Sequence, residues 1–221
     1  MRLTWLGQAG YKITTNETTL LIDPYFSDSA ASVACHRKQP IDASVWDIDP
    51  DLILITHDHI DHNDKETLEH FINENTQRTV LSPKSVRKSL LGYKGKHNLV
   101  EASCGIVWSH NDVVVKTVSA RHSDEFAVGF IIECDGKTIY HTGDTLYCPS
   151  MLKDICDIDA VILPINGKGN NMNAVDAQKF ANDIGAKLAI PMHFGMLDDI
   201  DPSIFEYKNK YVPTIYREFE L

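Results

Sequence analysis

Three histidines and two aspartates fall within six consecutive positions, His57-Asp58-His59-Ile60-Asp61-His62. Imidazole nitrogens and carboxylate oxygens at that density suit zinc, manganese or iron, and no thiolate is required. The segment follows the apolar run Leu52-Ile53-Leu54-Ile55 without a break, and that run has the length of a buried strand. In an extended continuation, residues two apart share a direction, so the spacing predicts that His57, His59 and Asp61 converge. His62 would follow where the chain turns into a helix. The simpler reading is a solvated turn that happens to be rich in histidine, and the density of ligand-type residues at a strand end argues against it.

The same arrangement recurs downstream. Val113 to Val118 reads as a strand and leads to His122; Thr138 to Tyr140 leads to His141-Thr142-Gly143-Asp144; Leu188 to Ile190 leads to Pro191-Met192-His193. Each places a metal-competent side chain at the carboxyl end of a strand, where sites in layered α/β proteins collect. Any one of these histidines alone would read as a surface residue. Four convergent cases point to a metal site.

The elements that must position these residues are legible as short strands and amphipathic helices. Leu3 to Leu6, Tyr11 to Thr14 and Thr19 to Ile22 read as a meander, separated by Gly7, Gly10, Asn16 and Glu17. Residues 27–46 show no period and form a long connection, either a lid over a site or surface packing. A helix is predicted over 64–73, where Leu68, Phe71 and Ile72 make an apolar stripe. Pro83 is expected to open a second helix after a short strand at Val80-Leu81. From Leu99 to Tyr140 the chain reads as antiparallel strands, with Asp135-Gly136 as a hairpin turn. Strands at Ala160 to Leu163 and Leu188 to Ile190 flank a helix from Ala174 to Ile184. This mixture gives an α+β or α/β class, with helices covering packed sheets.

Composition excludes several alternatives. A chain of 221 residues with 43% hydrophobic and 24% charged residues fits one folded domain spanning 1–221. Its longest apolar runs are strand-sized, too short to cross a bilayer, and no signal-peptide core follows the N-terminus. A cytoplasmic protein is expected. The net charge of −10 argues against a nucleic-acid partner, although Arg87-Lys88 and Lys94 to Lys96 are locally basic. The five cysteines are odd in number and contain no CxxC pair, so most read as buried, reduced packing residues, with Cys148 set apart by its place just after the Asp144 motif.

The HxHxDH segment, the later His122, Thr142-Gly143-Asp144 and Pro191-Met192-His193 together resemble the ordered motifs of the metallo-β-lactamase superfamily. Trp5-Leu6-Gly7-Gln8-Ala9-Gly10 and Leu21-Ile22-Asp23-Pro24 resemble its start, so the likeness covers essentially the whole chain. The resemblance implies a four-layer αββα sandwich with two divalent metal ions at one edge, zinc or manganese, with iron also admitted. His57, His59 and His122 would hold one ion, Asp61, His62 and His193 the other, and Asp144 would bridge. His59 stands where flavodiiron oxidoreductases of this fold typically carry Glu, which favours hydrolysis. Asp49 through Asp64 and Pro164 to Ala174 look most like L-ascorbate-6-phosphate lactonase-like metal-dependent hydrolases, although many relatives have His at the position of Gln8. A homo-oligomer is a further expectation from such relatives.

Two adjacent ions lower the pKa of a shared water from 15.7 to roughly 7. The hydroxide would attack a carbonyl or phosphoryl centre, with Asp61 orienting it and taking its proton. The expected substrate is a small ester or lactone, including a phosphorylated sugar lactone. The alternatives are a phosphodiesterase or nuclease of the same fold and a catalytically silent metal-binding protein. Arg121, His141, Asn166 and Lys168 are candidate substrate contacts, Lys168 and Arg121 for a phosphate; Asn166 to Asn173 form a Gly/Asn-rich loop that reads either as a substrate-binding segment facing the metals or as an ordinary connection. For His141 the preferred reading is a structural hydrogen-bonding residue, and Asp23 reads as one that fastens loops near the metals.

Overall fold

Short apolar runs with alternating faces dictate the layers. The computed structural model describes residues 1–221, Asp154 excepted. Strands β1 (Arg2–Gly7), β2 (Gly10–Thr14), β3 (Thr19–Ile22), β4 (Leu52–Leu54), β5 (Thr79–Ser82) and β6 (Asn98–Glu101) lie side by side in that order. Strands β7 (Val107–His110), β8 (Val113–Ser119), β9 (Val128–Cys134), β10 (Lys137–His141), β11 (Ala160–Pro164) and β12 (Leu188–Met192) make a second sheet in chain order. The last strand, β13 (Glu218–Glu220), returns to pair with β1.

Both sheets are mixed. β1 to β3 and β7 to β10 are antiparallel meanders, whereas β3 to β6 and β10 to β12 run parallel. Parallel neighbours need a crossover, and helices supply it. α1 (Lys65–Phe71) joins β4 to β5, α2 (Arg87–Leu90) joins β5 to β6, and α3 (Ala174–Asp183) joins β11 to β12. Leu20, Ile22, Leu52, Leu54 and Leu81 face the second sheet in the main core. Their neighbours Leu21, Ile53 and Val80 point outward onto Leu68, Phe71 and Leu90. On the far side Phe180 of α3 packs on Tyr140 at 6.0 Å between ring centroids. The order helix, sheet, sheet, helix is the four-layer αββα sandwich that the family resemblance implies.

Three details differ from the sequence reading. Asn98–Glu101 does not belong to the antiparallel run; it is a half-exposed edge strand parallel to β5, delivered there by α2. Pro83 opens turns rather than a helix, Val86 N bonding to Pro83 O at 3.1 Å, and α2 begins only at Arg87. α1 is shorter than 64–73, and Asp64 caps it by accepting from Thr67 N. The Asp135-Gly136 turn joins β9 and β10 with φ of 51° and 69°, as a two-residue hairpin requires. Among the described residues no helix is long and apolar enough to cross a membrane. The cysteines also depart from expectation. Cys134 is buried, Cys148 is half-buried, and Cys35, Cys104 and Cys156 are exposed, all five free.

Gly143, just past β10, has φ +61°, and a Cβ there would meet Thr56 Cβ at 2.9 Å and Val128 O at 3.0 Å. Gly143→Ala is therefore expected to destabilise the fold by about 2 kcal/mol, measured by urea unfolding of chelator-treated protein.

Candidate metal centre

The strands β4, β8, β10 and β12 deliver their following residues to one edge of the sandwich. His57, His59 and His122 offer ligand atoms within 4.8 Å of one another, as do His57, His62 and Asp144, and Asp61, His62 and His193. His59 Nδ1 lies 3.2 Å from His122 Nε2. His193 Nε2 is 3.2 Å from Asp144 Oδ2 and 3.4 Å from Asp61 Oδ2. His62 Nε2 is 3.5 Å from the same Asp144 oxygen. All seven residues singled out as ligands thus come together. The way they do so differs from the sequence reading. His57 to His62 is not extended but curls tightly, with His62 N and Asn63 N both bonding to His59 O at 3.0 and 2.7 Å. His193 takes φ 61° to enter the site, a left-handed conformation that histidine tolerates better than most residues.

The donor set fits a cation. His57 Nε2, His62 Nε2, His193 Nε2 and Asp144 Oδ1 are buried without hydrogen-bond partners, a costly state for a polar atom unless something else satisfies it. The opposite ring nitrogens are all engaged. His62 Nδ1 meets Asp23 Oδ2 at 2.8 Å, so Nδ1 carries the proton and Nε2 is left as the ligand. Thr56 Oγ1 donates to the same Asp23 oxygen at 2.6 Å and lies 2.9 Å from His57 Nδ1. Its hydrogen is committed to Asp23, so its lone pair accepts from His57, and His57 Nε2 also faces inward. His59 has Ser123 Oγ at 3.2 Å from Nε2 and presents Nδ1.

Charge tells the same story. Burial alone would push the His193 imidazole down, but Asp144 and Asp61 push it up to about 10. His62 is likewise buried, and Asp144, Asp61 and Asp23 hold it well above its ordinary value. Burial opposes ionisation of Asp61 and Asp144, yet the two cationic imidazoles keep both carboxyls below the usual carboxylate range. His57 and His122 are driven down, first by desolvation and then by neighbouring imidazoles. Two carboxylates here each want a positive partner, and protons fill that role when no ion does.

The floor of the site opens into a cleft of about 280 Å³ lined by Asn166 and Lys168, but not by Arg121 or His141. Arg121 is exposed beside β8's end, its backbone tied to Thr145 and Leu146. His141 is fully buried behind the site. Its Nε2 donates to Ala9 O at 2.8 Å and its Nδ1 accepts from Gly143 N at 3.2 Å, leaving no atom for a substrate. Asp23 fastens the loops as expected. The 27–46 connection divides: Ala30, Val33 and Cys35 line the cleft, while Trp46 packs on Phe26 and Phe71. Sequence reasoning gave the loop that carries Asn171 a substrate role rather than a ligand-orienting one, and it did not single out Gln8 as a partner of the site. Gln8 Nε2 donates to Asp61 Oδ2 at 3.0 Å, and a buried polar residue in the first hairpin carried no pattern to flag it.

Comparison with known proteins agrees with this architecture. The family model for the beta-lactamase superfamily domain matches residues 2–193. A UPF0173 protein of Pyrococcus abyssi is 30% identical over 196 residues, 88% of this chain and 84% of that protein. A UPF0173 metal-dependent hydrolase of Methanopyrus kandleri is 28% identical over 95% of this chain and 91% of its own. A metallo hydrolase from Ignicoccus hospitalis shares the fold with a TM-score of 0.75 at 20% identity, covering 100% of this chain and 98% of that one. The chain belongs to the metallo-β-lactamase superfamily and, within it, to the UPF0173 family.

Two outcomes are expected. Asp23→Asn, which removes the anionic acceptor from His62, should lower zinc affinity by about 10- to 100-fold, measured by competition with a chromogenic chelator. Because His62 and His193 hold protons at neutral pH when no cation is bound, loading must displace them. Affinity should therefore rise with pH through the range 6 to 9, with about two protons released on loading, counted by calorimetry in buffers of differing ionisation enthalpy. In chelator-treated protein the His193 contribution to stability is full below about 6.5 and lost as pH rises toward about 10. The carboxylate contribution is present above about 4 and lost on acidification.

Proposed function

We propose that the protein is a metal-dependent hydrolase that opens a small ester or lactone, using two divalent ions held by His57, His59, His122, Asp61, His62, His193 and Asp144. Zinc or manganese suits the nitrogen and oxygen donors, and iron is also admitted. The observation that carries the reading is the convergence of inward-facing, unpartnered nitrogen and oxygen atoms at the floor of a cleft. His57, His59 and His122 would hold one ion, Asp61, His62 and His193 the other, with Asp144 between them. Bound there, the ions would lower the pKa of water to roughly 7 and so supply hydroxide at neutral pH.

The remaining work falls to the chain. Asp61 lines the cleft, and Gln8 fixes one of its oxygens at 3.0 Å. That orientation suits it to position the nucleophile and accept its proton. Ala30, Val33, Ile60 and Leu197 give the cleft an apolar wall, which matches the carbon skeleton of an ester. Lys168 is the cation among the lining side chains outside the ligand set, and Asp198 shares the lining with it. With Arg121 outside the cleft, an unphosphorylated lactone or ester is favoured over a phosphorylated sugar lactone or a phosphodiester. Action in the cytoplasm, on a small molecule and as a homo-oligomer, completes the proposal.

Elemental analysis of protein purified without chelator should find about two equivalents of zinc, manganese or iron, and His59→Ala should hold less. Metal-loaded protein is then expected to turn over lactones or carboxylic esters faster than phosphodiesters, and Asp61→Asn to lose at least about 100-fold in kcat. Full metal occupancy with sustained inactivity on lactones, esters, thioesters and phosphodiesters would identify a silent metal-binding protein instead.

A further inference from the structure

The loop between β11 and α3 touches three ligands of the site at once. Asn166 Nδ2 lies 3.0 Å from His193 Nδ1. The Asn170 carbonyl lies 3.3 Å from His122 Nδ1. Asn171 Nδ2 donates to Asp144 Oδ2 at 2.9 Å. The backbone that allows this is unusual: Gly167, Gly169 and Asn170 all have φ of 63° or 64°. Glycine and asparagine are the residues that adopt that conformation most readily. A Cβ on Gly167 would also come within 3.0 Å of Asn173 Cβ. The loop is closed by the Asn166–Asn173 bridge and by Gly167 N bonding to Met172 O at 3.1 Å. Its Gly/Asn composition thus encodes a fixed shape.

Hydrogen-bond chemistry gives the two side chains opposite roles. A histidine that ligates through Nε2 carries its proton on Nδ1 and needs an acceptor there. For His122 the acceptor is a carbonyl, which can do nothing else. For His193 the acceptor is obtained by turning the Asn166 amide over, so that Oδ1, buried without a partner where it stands, replaces Nδ2 at that nitrogen. The other amide near that nitrogen, Gln8 at 3.4 Å, is already engaged as a donor to Asp61. Asn171 is in the reverse position. It faces a carboxylate, which only accepts, so it must donate.

We propose that residues 166–171 are the positioning element of the metal centre, with Asn166 the acceptor that orients His193 and Asn171 the donor that orients Asp144. The inference rests on the metal-binding reading above. Its consequence is that two identical side chains five residues apart respond oppositely to the same isosteric change.

The test compares Asn166→Asp, Asn171→Asp, Asn166→Leu and Asn171→Leu by chelator competition for zinc, with circular dichroism to establish folding. Asn166→Asp should bind zinc as tightly as the unaltered protein or more tightly, because a carboxylate is a stronger acceptor. Asn166→Leu should lose about 10- to 100-fold. Asn171→Asp should lose at least as much as Asn171→Leu, since it sets a second carboxylate against Asp144. Independently of any variant, nitrogen-15 NMR of the zinc-loaded protein should show His122 and His193 protonated on Nδ1. Equal losses for the two Asp substitutions, an unaffected Asn171→Asp, or His193 protonated on Nε2 would overturn the proposal. An unaltered protein that binds no zinc, manganese or iron would remove the metal reading itself, and this inference with it.

Discussion

One buried carboxylate organises much of this molecule. Asp23 ends β3 in a left-handed conformation at φ 41° and bonds through its own N–H to Leu54 O at 2.9 Å. Its two oxygens receive Thr56 N, Thr56 Oγ1 and His62 Nδ1, at 2.8, 2.6 and 2.8 Å. Through the Thr56 hydroxyl it also orders His57. The parallel pairing of β3 with β4 places the carboxylate beside the segment it orders. The first-half ligands are thus oriented by the register of a sheet, and a slip of one residue would turn the whole set away.

The second sheet contributes differently. Its candidate ligands His122, Asp144 and His193 leave three separate strands, and among the described residues no single one plays the part of Asp23 for them. Their ring nitrogens and carboxylate oxygens are met by a loop whose shape depends on left-handed glycines. Site rigidity is therefore built by sheet register on one side and by backbone conformation on the other. The apolar interior between the sheets, with Phe130, Ile132 and Ile139 fully buried, gives both halves a common base.

Much of this was legible in the sequence because the ligand residues cluster and because strands announce themselves by alternation. His57 to His62 needed no structure to be noticed, and the strand-end placement of His122, Asp144 and His193 pointed to one edge. Local pattern could not give the curl of His57 to His62, since the same residues fit an extended segment equally well. Nor could it give the pairing of Asn98–Glu101, whose half-exposed pattern suits either sheet and whose partner is chosen by the α2 crossover. Gln8 was missed as a partner of the site for a related reason. A polar residue in a turn looks solvated until tertiary packing buries it, at 1% exposure here. Arg121 and His141 misled in the opposite sense, because proximity in sequence to a ligand says nothing about which way the neighbouring side chain faces.

The uneven spread of the ligands along the chain has a thermodynamic consequence. Four of the seven, His57, His59, Asp61 and His62, lie within six positions, and the other three lie sixty or more residues away. The unfolded chain therefore keeps a compact chelating segment, whereas it has no counterpart to the complete centre. An ion stabilises a fold only by its preference for native over unfolded chain. Part of the native centre's affinity for an ion would be cancelled by this retained segment. A bound metal's contribution to holding the sandwich together would be correspondingly smaller than the strength of its binding. The three distant residues, which come together only after the second sheet has formed, would supply the difference.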